Sequence, residues 1–206
     1  MINSIINCIM RLWARFVRNI YKDESYLTHT LPVSKKTIYQ SKIITSLISI
    51  VASGLLIIVC LFICYYSKEN LDVLKKLLEL AATTYDTTVI KLVLLISVVA
   101  LIEIIYMVFV GYVGIVLGHK RNNRKIVMSI VFAFVLYMIM QTITLVGLVI
   151  YGVFNPDIMN LINTTDTLDI TAIKSAMYFA IINYAVYIIF LYIFGKKQLE
   201  TGVNVD

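Results

Sequence analysis

Four apolar stretches constrain the fold of this chain more than any other feature. They cover residues 43–66, 92–117, 126–151 and 175–194. Each has about 20 or more mostly apolar residues, enough to cross the ~30 Å hydrocarbon core of a bilayer as a helix. Backbone groups in lipid must be hydrogen-bonded within their own segment, so each stretch is expected to be an α-helix. Because 60% of the 206 residues are hydrophobic, the sequence predicts an all-α integral membrane protein.

The distribution of Lys and Arg predicts the orientation of these spans. Of the 18 Lys and Arg residues, thirteen lie in residues 1–42, the 119–125 loop and the tail from residue 195, and five lie in residues 67–91 and 152–174. The positive-inside rule then places both termini and the 119–125 loop in the cytoplasm. This distribution also explains the net charge of +6 without nucleic acid as a partner. We expect a multi-pass protein of the cell membrane.

Residues 2–22 have the pattern of an amphipathic helix. At about 100° per residue, a basic face opposes an apolar face that includes Trp13 and Phe16. The segment has no uninterrupted apolar run long enough to span a bilayer. We therefore expect a helix that lies in the membrane interface. The alternative is a soluble helix packed on a partner. The basic face consists of Arg11, Arg15, Arg18 and Lys22.

The two external loops also carry helix and turn signals. In residues 67–91, Asn70 can cap a helix that begins at Leu71, and Leu74, Leu77 and Leu78 share one face of it. In residues 152–174, Asp166 can start the fourth spanning helix.

The sequence contains no pattern typical of a catalytic or cofactor site. His29 and His119 lie on separate segments, with no Cys or carboxylate at metal-ligand spacing. The chain also has no phosphate-binding loop of the form Gly-x-x-x-x-Gly-Lys-Ser/Thr. The stretch Gly118-His119-Lys120 lacks both the earlier glycine and the following Ser or Thr of that motif. We therefore expect a non-enzymatic chain without a cofactor, and any energy for its work must come from a partner.

Three polar residues fall near the middle of successive spans: Glu103, Gln141 and Asn183. A charged residue at the bilayer centre costs about 3 kcal/mol, and the apolar residues around Glu103 offset that cost. Such residues face protein or a water-filled cavity. They form either a polar translocation path or hydrogen bonds between helices, from Glu103 to Gln141 or Asn183.

Three glycines line the predicted cytoplasmic end of the second span: Gly111, Gly114 and Gly118. Small residues spaced four apart allow helices to approach closely. These glycines pack either within one bundle or at a subunit interface.

The polar segment that precedes the first span has the pattern of a short helix, a corner and a new helix. Asp23 can cap the short helix, Pro32 keeps Leu31 out of the helical region, and Ser34 can cap a helix that begins at Lys35. That second helix would continue into the first span, so a push on the segment would pass to the span. The alternative is an ordinary juxtamembrane loop.

Residues 15–34 and Ser41-Lys42 resemble a family of bacterial type-2 ABC exporter permeases. The family loop typically reads R-F-Y-x-N-L-F-x-D-E-G-Y-L-x-x-T-L-P-V, followed by S-K-L, and this chain departs from it at Val17, Ile20, Tyr21 and Ser25. The tail from Leu199 to Asp206 also resembles the family's ending. Members usually have six spans, two of them before this loop. The chain is thus expected to lack the first two family spans, as a shortened natural form, one piece of a split permease or a fragment.

The resemblance implies that the segment docks on an ABC ATP-binding subunit, which binds ATP and Mg, and that a second permease copy or a related permease completes the transporter. The implied docking residues are Asp23, Glu24, Tyr26, Leu27, Thr30, Leu31 and Pro32. In this scheme residues 1–42 form a cytoplasmic amphipathic helix and coupling segment, 43–195 the transmembrane bundle and 196–206 a cytoplasmic tail. The alternatives are a small membrane immunity or sensor subunit without transport, and a truncated permease.

Overall fold

The fold is known from a computed structural model that describes residues 2–22, 24–25, 30, 32–121, 123–155, 158–159 and 170–201. Within these ranges the chain contains helices and no strand, which confirms the all-α class predicted from the sequence. The helices are α1 (Ile2–Tyr21), α2 (Lys35–Tyr65), α3 (Lys68–Thr84), α4 (Val89–Gly118), α5 (Lys125–Phe154) and α6 (Ile170–Glu200).

Four of these helices, α2, α4, α5 and α6, are long and apolar enough to span a membrane. Each extends several residues beyond at least one end of the apolar stretch from which it was predicted, because polar residues at a helix end can continue the backbone hydrogen bonding outside the hydrocarbon. Many large apolar side chains on these helices are exposed, for example Leu56, Leu94 and Phe134. Such surfaces suit contact with lipid, and the chain is a multi-pass membrane protein.

The start of α2 is as the sequence predicts. Ser34 precedes the helix, and its side-chain oxygen accepts a hydrogen bond from the backbone N–H of Thr37 at 3.2 Å. The Ser34 carbonyl accepts the first helical bond, from Ile38 at 3.1 Å. From Lys35 the helix continues without a break to Tyr65. The first span and its polar lead-in are therefore one continuous helix.

The helix of the first external loop begins earlier than expected. Its cap is Ser67, whose hydroxyl oxygen accepts from the backbone N–H of Asn70 at 3.1 Å, so the prediction of Asn70 as the cap was wrong. Asn70 instead donates from its side chain to the carbonyl of Tyr65 at 3.1 Å. Ser and Asn are comparable caps, and the sequence alone does not choose between two so close together. Asp166, the predicted start of the fourth span, lies outside the described residues.

The chain divides into two compact units, which are treated separately here. Unit 1 consists of Met1–Ile58, Ile104–Ile139 and Tyr187–Asp206, and unit 2 consists of Val59–Glu103 and Met140–Val186. Each of the four spanning helices contributes residues to both units.

In unit 1, α1 has the predicted amphipathic character. Arg11, Arg15 and Arg18 are exposed, whereas the opposite face is covered by protein. In the N-terminal half of α1, the thiol of Cys8 donates a hydrogen bond to the hydroxyl of Ser53 on α2, at 3.3 Å. The buried side chains of α1 are Leu12, Phe16, Ile20 and Tyr21.

Contacts between α1 and α4 show that the two helices run side by side. The indole of Trp13 lies against Gly111, and the ring of Tyr21 stacks on His119. Both helices advance by the same number of residues between these two contacts, so α1 lies along α4 and does not cross it. This packing differs from the flat interfacial placement expected from the sequence. The pattern revealed an apolar face but not what covers it.

The glycines of α4 bring α5 and α1 close. A Cβ at Gly114 would lie 2.6 Å from the Cβ of Ala133, and a Cβ at Gly118 would overlap Ser129. A Cβ at Gly111 would overlap the indole of Trp13. These glycines therefore pack inside unit 1, where a larger residue would push neighbouring helices apart.

In unit 2, a hydrogen bond and a ring stack connect α5 and α6. Asn183 of α6 donates to the hydroxyl of Thr144 on α5 at 2.8 Å. Nearby, the rings of Tyr151 and Phe179 stack with centroids 5.4 Å apart. These contacts join α5 to α6 within the unit.

Candidate functional site

The predicted docking residues fall partly within the described part of the chain. Glu24, Thr30 and Pro32 are described, and all three are exposed. The remaining docking residues, Asp23, Tyr26, Leu27 and Leu31, lie outside the described residues. We define the coupling segment as residues 23–34. The structure shows how the helices on either side of it are held.

The helix that enters the coupling segment is anchored at its last residue. Tyr21 is 1% exposed, and its ring stacks on the imidazole of His119 with centroids 4.0 Å apart and planes 23° apart. Burial raises the pKa of the Tyr21 hydroxyl above its usual value. The chain then turns through a hydrogen bond from the N–H of Ser25 to the carbonyl of Lys22 at 2.7 Å.

His119 connects this anchor to two further helices. Its Nδ1 donates to the carbonyl of Ile115 at 2.9 Å and lies 3.3 Å from Oγ of Ser129. Ile115 is in α4 and Ser129 in α5, and the His119 side chain is 2% exposed. The end of α1 is therefore tied to both α4 and α5.

The helix that leaves the coupling segment is anchored one turn after it begins. Tyr39 is fully buried between two aromatic rings, Phe16 of α1 and Tyr192 of α6, each 6.2 Å away between centroids. The neighbouring Gln40 donates to the Tyr192 hydroxyl at 2.7 Å. A Cβ at Gly195 would overlap the hydroxyl of Tyr39, so a glycine is needed for this close approach.

Phe16 connects the second anchor to α4. Its ring stacks on Tyr112 of α4 with centroids 4.1 Å apart and planes 19° apart. The Tyr112 hydroxyl is hydrogen-bonded to the hydroxyl of Ser46 on α2. Offset stacks of this kind are each worth about 0.5–1.5 kcal/mol beyond their buried area. We call this group the aromatic core; it consists of Phe16, Tyr21, Tyr39, Tyr112, His119 and Tyr192.

The aromatic core holds the two helices that flank the coupling segment. The end of α1 and the start of α2 contact closely packed side chains, and α2 is one uninterrupted helix from Lys35. Packed cores deform little, so these two helix ends are held firmly against the spanning helices.

The predicted intramembrane polar residues are not joined to one another by hydrogen bonds that the structure describes. Asn183 bonds to Thr144, while Glu103 is exposed on α4 and Gln141 is half-buried on α5. Glu103 has no hydrogen-bond partner among the described residues. An exposed carboxyl in a spanning helix requires cover from water or from another protein surface.

Sequence reasoning missed the aromatic core. The available signal was the position of Tyr39, Tyr112 and Tyr192, each near the same predicted side of a different span. Tyr is common at membrane interfaces, so a Tyr near the end of a span does not by itself indicate a buried side chain. Phe16 was assigned to the apolar face of α1 without its partners, and Tyr21 was named only as a departure from the family loop.

No three His, Cys, Asp or Glu side chains come together as a metal site in the described part of the chain. Comparison with models of known protein families, with curated proteins and with solved structures gives no match for this chain. Its fold and site define a class, a multi-pass helical membrane protein with an anchored polar segment before its first span.

Proposed function

We propose that this chain is a non-catalytic permease subunit of a bacterial ABC exporter. Its coupling segment docks on a separate ATP-binding subunit, which binds ATP and Mg and supplies the energy. The observation that carries the proposal is the attachment of both ends of that segment to the aromatic core. Such an attachment is what a segment needs if it is pushed by a partner.

The sequence of the segment supports the same assignment. Residues 15–34 resemble the loop that couples type-2 ABC exporter permeases to their ATP-binding subunits. The exposed Glu24 and Pro32 are accessible to such a partner. In this scheme, closure of two ATP-binding subunits pushes the segment, and α2, which begins directly after the segment at Lys35, tilts with it.

The exposed Glu103 supports a second permease copy, or a related permease, in the transporter. A carboxyl in a spanning helix is unfavourable against lipid, and a partner surface or a water-filled path between two subunits would remove that cost. Glu103, Gln141 and Asn183 are the polar residues that this path would use.

The location that we propose is the cell membrane, with the coupling segment, the 119–125 loop and the C-terminal tail in the cytoplasm. The support is the excess of Lys and Arg in residues 1–42, the 119–125 loop and the tail. This orientation places the coupling segment in the cytoplasm, where an ATP-binding subunit is located.

The experiment that tests the function is affinity purification of the tagged chain from its native membrane, with mass spectrometry of the proteins that accompany it. The proposal predicts a stoichiometric ATP-binding subunit. It also predicts that Tyr26→Ala with Leu27→Ala removes that subunit while membrane insertion is unchanged. The proposal is wrong if no ATP-binding protein accompanies the chain in mild detergent, and a sensor subunit or an inactive truncated permease would then be favoured.

A further inference from the structure

An apolar cavity of about 420 Å³ lies in unit 1 between α1, α4 and α5. Its volume is within the range of about 300–1,000 Å³ typical of pockets that hold a ligand. The walls are aliphatic and aromatic along almost their whole length, with Trp13 on one side and Tyr137 at one end. His119 and Ser129 lie at the other end, and both are buried.

The cavity opens toward the surroundings along α5. Three of its lining residues there, Ile126, Ile130 and Phe134, are more than half exposed. On α4 the lining runs from Met107 to His119, which corresponds to about 18 Å at the helical rise of ~1.5 Å per residue. This length is close to that of one leaflet, about half of the ~30 Å hydrocarbon core.

Basic residues flank the end of the cavity marked by His119. Arg18 is exposed on α1, one turn before Tyr21, which stacks on His119. Arg121 follows His119 by two residues, and it is exposed with its guanidinium 6.0 Å from the ring centre of Phe132. Two positively charged side chains are thus close in sequence to the end of the apolar cavity where lipid headgroups would lie.

We propose that this cavity binds an anionic phospholipid of the bilayer. One acyl chain occupies the apolar cavity, and the phosphate lies near Arg18 and Arg121. The apolar walls and lateral opening fit an acyl chain, and the adjacent arginines favour an anionic headgroup over a zwitterionic one. The proposal does not depend on transport, because it rests only on the cavity and its flanking charges.

Trp13 allows a direct test, because it is the single tryptophan of the chain and it lines the cavity. The purified chain is reconstituted into phosphatidylcholine bilayers that contain increasing fractions of lipid with brominated acyl chains, which quench tryptophan on contact. We expect brominated phosphatidylglycerol to reach half-maximal quenching at a mole fraction at least threefold lower than brominated phosphatidylcholine. Equal quenching by the two lipids would overturn the proposal and would indicate ordinary lipid contact.

Two variants fill the cavity, and one double variant removes the two charges that flank it. Ala14→Phe and, independently, Ile130→Phe place a ring at exposed lining positions, so each should remove the saturable part of the quenching. Arg18→Gln with Arg121→Gln should bring the half-maximal mole fractions of the two brominated lipids close to each other, a ratio of about one. The control Lys75→Gln with Lys76→Gln removes the same charge from α3 and should leave the preference unchanged. An equal loss of preference in the control would contradict the site.

Discussion

The ring of Tyr21 stacks on the imidazole of His119 with 4.0 Å between centroids, and this contact ties the last residue of α1 to the end of α4. It places the start of the coupling segment against the spanning helices. Together with the burial of Tyr39 at the start of α2, it holds the helices on both sides of the segment.

Tyr21→Ala should destabilise the protein by about 3 kcal/mol or more, because it removes a buried ring and leaves a cavity beside His119. Tyr21→Phe keeps the stack and should cost much less. Tyr66→Ala removes an exposed ring, 61% accessible, and serves as the control. The measurement is the unfolding transition of the purified variants in detergent. A Tyr21→Ala protein as stable as Tyr66→Ala would show that the stack contributes little.

Gly114→Ala should cost about 1–3 kcal/mol, because the new Cβ would lie 2.7 Å from the backbone nitrogen of Ala133 and α5 would have to move. Gly54→Ala is the matched control, since no atom lies within 4 Å of its added Cβ. That substitution should be neutral or slightly stabilising. Unfolding measured side by side distinguishes the two positions, and equal costs would contradict the close approach of α4 and α5.

Glu103→Gln should leave the stability of the isolated chain unchanged, because the structure describes no hydrogen-bond partner for Glu103. Asn183→Leu should cost about 1 kcal/mol through loss of the bond to Thr144. Unfolding in detergent compares the two. A clear destabilisation by Glu103→Gln would show that the carboxyl is a structural partner within the chain. A loss of transport at normal abundance would instead place it on the translocation path.

The orientation can be tested with single cysteines in a background that carries Cys8→Ser, Cys60→Ser and Cys64→Ser. Arg121→Cys and Lys76→Cys are both exposed sites. The proposed topology predicts that a membrane-impermeant maleimide labels Lys76→Cys in intact cells, but labels Arg121→Cys only after permeabilisation. The reverse pattern would contradict the cytoplasmic location of the 119–125 loop.

The sequence predicted the helical class, the four spanning helices and the Ser34 cap of α2, because length, apolarity and capping are local properties. It did not predict the cap at Ser67 or the packing of α1 along α4. The first depends on a choice between two similar caps, and the second depends on which surface is near in three dimensions. The aromatic core was missed for the same reason, since the rings of Phe16 and Tyr112 are far apart in the chain.

The most direct test of the central claim places a photo-crosslinking amino acid at Thr30, an exposed position in the coupling segment, and separately at Lys76 on α3. The account predicts that illumination links the Thr30 variant to an ATP-binding subunit and that the Lys76 variant gives no such product. If an ATP-binding subunit accompanies the chain but never crosslinks from Thr30, or crosslinks equally from Lys76, the coupling segment is not its docking site.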